Sequence, residues 1–240
     1  KLDAVREVAG NVLKRVLSAS DGHLILVPDR SVLVEALESG ESEMNWAHPS
    51  YVFPFLIRVL DKSEVYFDPI ISGIVVSVGG LTETVVREAS KAIMEWSLTQ
   101  ISKGNIAAIQ KLASTLLTLF KSEQKNDRVI VPLLKMVEML YRQGAFGETL
   151  DSYGAIHVDY LREIKVEMNG CGDVLKLMAC INVIVHLFAQ KGSVRTHSFK
   201  QLLTLLGHKY PRVRKFTAEQ IYLIVISDTE FMGPKSNTDG

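Results

Sequence analysis

The sequence predicts an all-α chain, an array of about eleven helices stacked in successive pairs. Three observations predict it. Apolar residues recur at three-and-four spacing in one segment after another. Glycine, proline and capping residues punctuate those segments at short intervals. A short helical pattern also returns four times: Val-Arg, a small residue four positions after the valine, and an apolar residue eight after it. Its copies start at Val5 (Ala9, Leu13), Val86 (Ser90, Met94), Val194 (Ser198, Leu202) and Val213 (Thr217, Ile221).

Residues 2–18 carry Leu2, Val5, Val8, Ala9, Val12, Leu13, Val16 and Leu17 at helical spacing, and Ser20-Asp21-Gly22 ends the run. Leu24–Val27 reads as extended or as the end of a loop, and Pro28-Asp29 opens a short helix to about Glu38. Residues 38–47 are polar and aperiodic, an exposed loop whose one large apolar group is Trp46. A helix follows from Ser50 to about Leu60, with Pro54 demanding a kink or a late start. Asp68-Pro69 supplies a cap and a proline at the first helical position. Ile70, Ile71, Ile74, Val75 and Val78 then trace a stripe that Gly79-Gly80 ends. This β-branched run would also suit a buried strand, and its flanking caps decide for helix.

Thr82-Glu83 starts a helix to about Ser102. Residues 105–121 present Ile106, Ile109, Leu112, Ala113, Leu116, Leu117 and Phe120 on one face. Asn126-Asp127 caps a helix reaching Arg142, with Pro132 near its start. Gly144–Gly154 is a glycine-rich connector, and 156–168 is helical with a weaker stripe, ended by Gly170–Gly172. Residues 173–190 are apolar almost all round, which predicts a central helix covered on several sides. Two last helices span about 193–207 and 211–227. The expected organisation is one helical array over 1–230 with a polar tail over 231–240.

Composition bounds the function. The chain has 240 residues, 47% hydrophobic and 22% charged, as ordinary folded domains do. Its 27 basic and 27 acidic residues cancel, which argues against a dedicated nucleic-acid binder. The longest apolar runs, Leu24–Val27 and Ile70–Val78, fall short of the ~18 residues a membrane span needs. Cys171 and Cys180, if both are helical, stand roughly 13 Å apart along the axis. That is too far for a disulfide and suits a reducing compartment. A chain opening at Lys1 within a helical pattern reads as part of a longer protein.

The copies at Val5, Val86 and Val213 fit a period of about 42 residues, the spacing of HEAT or armadillo-type arrays with two helices per unit. Val194 marks the first helix of the pair whose second helix carries Val213. Intermediate slots fall at the helix starts Asp127-Arg128-Val129 and Gly172-Asp173-Val174, while the slot near residue 46 falls in the loop. In such an array the valine and the residue eight on face inward and the small residue permits close helix approach. The arginine reaches an acid or a carbonyl. Asp3, Asp127 and Asp173 fit as caps of helix starts. The predicted fold is therefore an α-solenoid of degenerate HEAT/armadillo-type hairpins.

No motif for catalysis is present. Gly79-Gly80 is a helix terminator rather than part of a phosphate loop, and no His-Glu-x-x-His or Gly-x-Ser-x-Gly occurs. The six histidines are scattered singly, and His186, within the apolar helix, reads as a hydrogen-bonded core residue. No catalytic residue, metal ligand or cofactor site is expected. The one charge concentration is His208, Lys209, Arg212, Arg214 and Lys215. The plainer reading is a solvated helix start in which Arg214 is the repeat arginine. Cations there oppose the helix dipole, however, and this keeps an anion-seeking partner surface in play, with Lys209, Arg212 and Lys215 as its contacts. Trp46 is either a docking anchor or packs back on a neighbouring helix, and packing back is the expectation.

Three segments carry a family resemblance. They are Ile70–Glu83 (Ile-Ile-Ser-Gly-Ile-Val-Val-Ser-Val-Gly-Gly-Leu-Thr-Glu), Asp127–Lys135 (Asp-Arg-Val-Ile-Val-Pro-Leu-Leu-Lys), and His208–Tyr222 with Pro-Arg-Val-Arg-Lys-Phe-Thr-Ala-Glu-Gln-Ile-Tyr. In this order and spacing, over roughly residues 50–225, the chain resembles the C-terminal region of the tubulin-folding cofactor D family. The resemblance implies a HEAT-repeat chaperone scaffold that captures β-tubulin. It further implies that cofactors E and C and an ARF-like small GTPase assemble or disassemble the αβ-tubulin dimer with it. The implied setting is the cytoplasm, with association to microtubules or centrosomes, and the GTP chemistry belongs to the partners. Two other readings stand beside it: a HEAT-repeat adaptor of transport type, and an enzyme whose site is assembled across the array.

Overall fold

The computed structural model describes residues 2–18, 27–40, 44–153 and 155–227, with the side chains of Leu2, Asp3 and Ser227 left out of the description. Among these residues there are eleven α-helices and no strand. In chain order they are α1 (Leu2–Ser18), α2 (Arg30–Glu38), α3 (Pro49–Lys62), α4 (Phe67–Val78), α5 (Glu83–Ser102), α6 (Ile106–Ser122), α7 (Asp127–Arg142), α8 (Ile156–Met168), α9 (Val174–Phe188), α10 (Ser193–Leu205) and α11 (Pro211–Ser227). All-α is correct, and most boundaries fall within two residues of those predicted. The side chain of the expected cap Asp3, the Ser20-Asp21-Gly22 stop, Leu24–Leu26 and the tail over 231–240 lie outside the description.

The chain divides into two compact units, Lys1–Leu119 and Phe120–Gly240, with the division falling inside α6. In the first unit, α3 packs on α2, α4 and α5, α4 packs on α5, and α1 meets α2. In the second, α9 packs on α7, α8, α10 and α11, and α10 packs on both α8 and α11. Helices thus meet their sequence neighbour and also the helix two positions on (α3 with α5, α7 with α9, α8 with α10, α9 with α11). That is the contact order of stacked helical hairpins. The central, many-sided position predicted for residues 173–190 is the one α9 occupies.

The β-branched run is helix, as its flanks indicated. Ile71, Ile74 and Val75 are fully buried on α4, and Gly79 caps its C-terminus. Its start differs from expectation. Tyr66 is the N-cap, so Asp68 and Pro69 lie inside the first turn, where the proline's missing N–H would have had no partner anyway. Asp68 serves elsewhere, accepting a bond from the Thr115 hydroxyl of α6 at 2.8 Å. α3 likewise runs through Pro54, with Pro49 at its first position. Of the predicted caps, Asp173 is formed by its side chain, which accepts from the backbone N–H groups of Leu175 and Lys176. Asp127 does not cap; it is the first residue of α7 and is drawn into an ion pair.

The repeat pattern faces inward in only two of its four copies. Val194, Ser198 and Leu202 on α10, and Val213 and Thr217 on α11, are 0–3% exposed. The Ser198 hydroxyl has no partner among the described residues, so that position uses the side chain's small size. On α5 the buried set is Val85, Ala89 and Ile93, one residue ahead of the pattern. On α1, Val5, Val8, Val12 and Val16 face outward at 36–64% exposure while Gly10 and Leu17 face in. A slip of one position turns a helix by about 100°, enough to bring a different column of residues to the core. The arginines also act more locally than predicted: Arg214 donates to carbonyls of the turn before its own helix, and Arg195 lies over the Phe188 ring at 5.0 Å. Cys171 precedes α9 rather than sharing a helix with Cys180, and both thiols are free.

Candidate functional site

The sequence-predicted cations come together at one corner of the second unit, where α10 turns into α11. Backbone bonds from Gly207 and His208 close the end of α10, and Pro211 starts α11. The Tyr210 N–H donates to His208 Nδ1 at 3.2 Å, shaping the turn. Arg214 Nη1 reaches back to the carbonyls of His208 (2.8 Å) and Lys209 (3.2 Å), so its charge holds the turn rather than projecting. Lys209 rests on the Tyr210 ring, 4.9 Å from the centroid. Arg212 is exposed and, among the described residues, neither it nor Lys209 has a carboxylate within ion-pair distance. Lys215 is paired at 3.8 Å with Glu219, with both groups well exposed, an arrangement worth little in water. Of the three predicted contacts, two are therefore uncommitted and one is loosely held.

Trp46 does not join them. It is 6% exposed, edge-on to Phe55 at 5.3 Å, and its ring lies so close over Gly10 that a Cβ there would be 2.0 Å from Cδ2. The docking-anchor reading is corrected: the indole is a core group, as the packing-back alternative held. Burying an indole removes far more apolar surface than the polar loop around it could offer.

A buried polar network escaped the sequence reading. Lys176, 3% exposed, donates to Glu167 (2.6 Å), itself 1% exposed, and to Asp127 (2.5 Å). Burial alone would lower the Lys176 pKa, but its hydrogen bonds to Asp127 and Glu167 and the charges of these carboxylates outweigh it and raise it. Lys125 has φ of 63°, and its N–H donates to Glu167 Oε1 at 2.9 Å. Its ammonium meets the carbonyls of Val166, Glu167 (3.1 Å) and Asn169 (2.9 Å), satisfying the open carbonyl end of α8. The α6–α7 turn is thereby tied to the α8–α9 turn. One signal was readable: Lys176 stands on the same stripe of α9 as Cys180, Ile184 and Leu187. A lysine on an apolar stripe implies a buried partner, but not which one.

A second cluster is built around His157, 7% exposed. Its Nδ1 is 2.7 Å from the Tyr141 hydroxyl, and Asp151 lies 3.6 Å from Nε2, longer than a hydrogen bond. Acid, imidazole and hydroxyl in series resemble a relay, yet Tyr141 is buried and its pKa is pushed well up, away from activation. The cluster anchors the connector over residues 144–153, whose Ala145, Phe146 and Leu150 are core residues. Burial lowers the His157 pKa against the opposing pull of Asp151, and burial lowers that of His186. Neutral imidazoles are thus favoured by folding, and the stability they support is complete above the ordinary value of 6.5 and lost as pH falls below it. The melting temperature is expected to drop between pH 7.5 and 5.5, with a shallower slope in the double variant His157→Gln, His186→Gln. An unchanged slope in that variant would assign the acid sensitivity to other groups.

Among the described residues, no group of three His, Cys, Asp or Glu side chains is placed to hold a metal, and no helix is long and apolar enough to cross a membrane. Helices that pack on their chain neighbours within each of two units define an all-α, solenoid-like chain as the class, among the described residues. The particular family follows from comparison: the chain belongs to the tubulin folding cofactor D C-terminal family, whose model matches residues 1–176. The first two segments of the resemblance lie within that match, and His208–Tyr222 lies beyond it. The chain is also 22% identical over 235 residues to the tubulin-specific chaperone D of Dictyostelium discoideum, covering 92% of this chain and 16% of that protein. It therefore spans about a sixth of the relative's length. No solved structure matches it.

Proposed function

We propose that this chain is a scaffold segment of a tubulin-folding cofactor, binding β-tubulin or the αβ-tubulin dimer during its assembly or disassembly, with no chemistry of its own. The observation that carries this reading is family membership over residues 1–176. Cofactors E and C and an ARF-like small GTPase are the further partners this role implies, in the cytoplasm and at microtubules. Within the chain the contact is assigned to Lys209 and Arg212, with Lys215 beside them. Cations without internal partners give up only water on meeting an acidic surface, and they speed its capture at low salt.

The test is co-sedimentation and pull-down of the 240-residue chain with purified αβ-tubulin and with the ARF-like GTPase at two salt concentrations. Saturable capture that weakens with salt is expected. The triple variant Lys209→Glu, Arg212→Glu, Lys215→Glu is expected to weaken it at least tenfold, about 1.4 kcal/mol. Capture indifferent to the triple variant would remove this corner from the interface. Capture of neither partner would overturn the binding role for this segment.

A further inference from the structure

We propose that the valine face of α1 is the seat of a further helix of the same polypeptide, one that precedes residue 1 in a longer protein and extends the first unit. At about 100° per residue, Val5, Val8, Ala9, Val12 and Val16 share one side of α1, a sector about 100° wide and roughly 16 Å long. No other α1 residue falls in that sector, and Arg15 stands at its edge. The valines are 36–64% exposed, and Ala9 is exposed with them. The helix is fastened to its unit by another side, roughly 130° round from the stripe. There Gly10 and Leu17 are buried, Gly10 lies under the Trp46 ring, and the Arg30 guanidinium donates to the Leu17 carbonyl. A helix that is apolar on two separate sides is suited to lie between two layers of structure.

Three observations select this occupant. The Val-Arg pattern that starts at Val5 also starts at Val194 and Val213, and there its valine and small residue are buried, on helices packed against others of the array. The equivalent Val5 and Ala9 of α1 are open, so what fits them is another helix, packed as α9 and α11 are on α10. The stripe is also small. A strip of about 16 Å by 10 Å falls well below the ~800 Å² per partner that a stable complex of separate chains buries. A helix joined to α1 by a connector avoids the entropy loss of bringing two molecules together, so a contact of this size suffices for it. Finally, the family is the C-terminal segment of its proteins, and its match begins at residue 1. The chain spans 16% of the Dictyostelium discoideum relative, so most of that protein lies outside the matched span. A C-terminal segment has that remainder on its N-terminal side, where α1 stands. This packing is independent of any binding of tubulin.

The test compares the 240-residue chain with the longer natural protein that contains it, by hydrogen exchange read by mass spectrometry. The α1 amides are expected to exchange at least ~10-fold more slowly in the longer protein. The double variant Val8→Asp, Val12→Asp is expected to abolish that protection there while leaving α3–α5 protected as before. In the 240-residue chain the same variant is expected to leave the melting temperature unchanged, because both positions are exposed. Asn11→Asp, which adds a charge to α1 outside the stripe, is expected to leave the protection intact. Sedimentation equilibrium is expected to give the 240-residue chain the same mass with and without the double variant. Equal exchange of α1 in the two proteins overturns the proposal, as does protection that the double variant leaves intact. Dimerisation of the 240-residue chain that the double variant abolishes overturns it too, and makes a second copy the occupant.

Discussion

Replacing Lys176 with methionine is expected to destabilise the second unit by about 2–4 kcal/mol, because it leaves a carboxylate stranded in the interior. Glu167 is 1% exposed, and its remaining support is the Lys125 N–H. The figure sits below that for a wholly enclosed pair because Asp127, the second acceptor, is 55% exposed and reaches water. Urea unfolding followed by circular dichroism measures it. The double variant Lys176→Met, Glu167→Gln is expected to recover a substantial part of the loss, since it removes the stranded charge while keeping an acceptor for Lys125. A cost below about 0.5 kcal/mol for Lys176→Met alone would show the pair to be solvated, and the argument would fail.

Gly10→Ala is the second large effect, and it comes from one added methyl group. The new Cβ would fall 2.0 Å from Trp46 Cδ2 and 2.2 Å from Cγ, where ordinary contact needs about 3.4 Å or more. Neither a rigid indole nor a helix backbone can give that much. The ring must leave its place against Phe55, and the cost approaches that of deleting a buried aromatic, about 3–5 kcal/mol. The chain has two tryptophans, and Trp96 is tied by its indole N–H to Asp61 at 2.6 Å. Gly10→Ala should therefore make about half of the fluorescence quenchable by acrylamide, alongside a lower melting temperature. Unchanged quenching and melting would mean that Trp46 does not sit on Gly10. Trp46→Leu in the Gly10→Ala background should restore part of the stability by relieving the clash.

These two sites mark how far the residues could be read without the fold. Helices were legible because their signals are local. Three-and-four spacing, Gly79-Gly80, Pro211 and Asp173 act within a turn or two of themselves, so eleven helices and the central role of α9 follow from neighbours in the chain. The basic corner was legible for the same reason: Lys209, Arg212 and Lys215 are close in sequence and remain close in space. The four-copy pattern was legible as helix but not as orientation. Which column of a helix faces inward is decided by the helices packed on it, and α1 and α5 are turned away from the pattern by theirs.

By itself the sequence determined the all-α class, the positions of the helices and their pairing order, and the segments that mark the family. Only the tertiary structure decided that Trp46 is core, that Lys176 is buried between Glu167 and Asp127, and that His157 anchors the connector. Each of these depends on residues 9 to 49 positions apart in the chain meeting at contact distance. Local propensity has no term for such a meeting. It is set by how far each helix is rotated when its apolar face is buried, and a rotation of one residue exchanges a core position for a surface one.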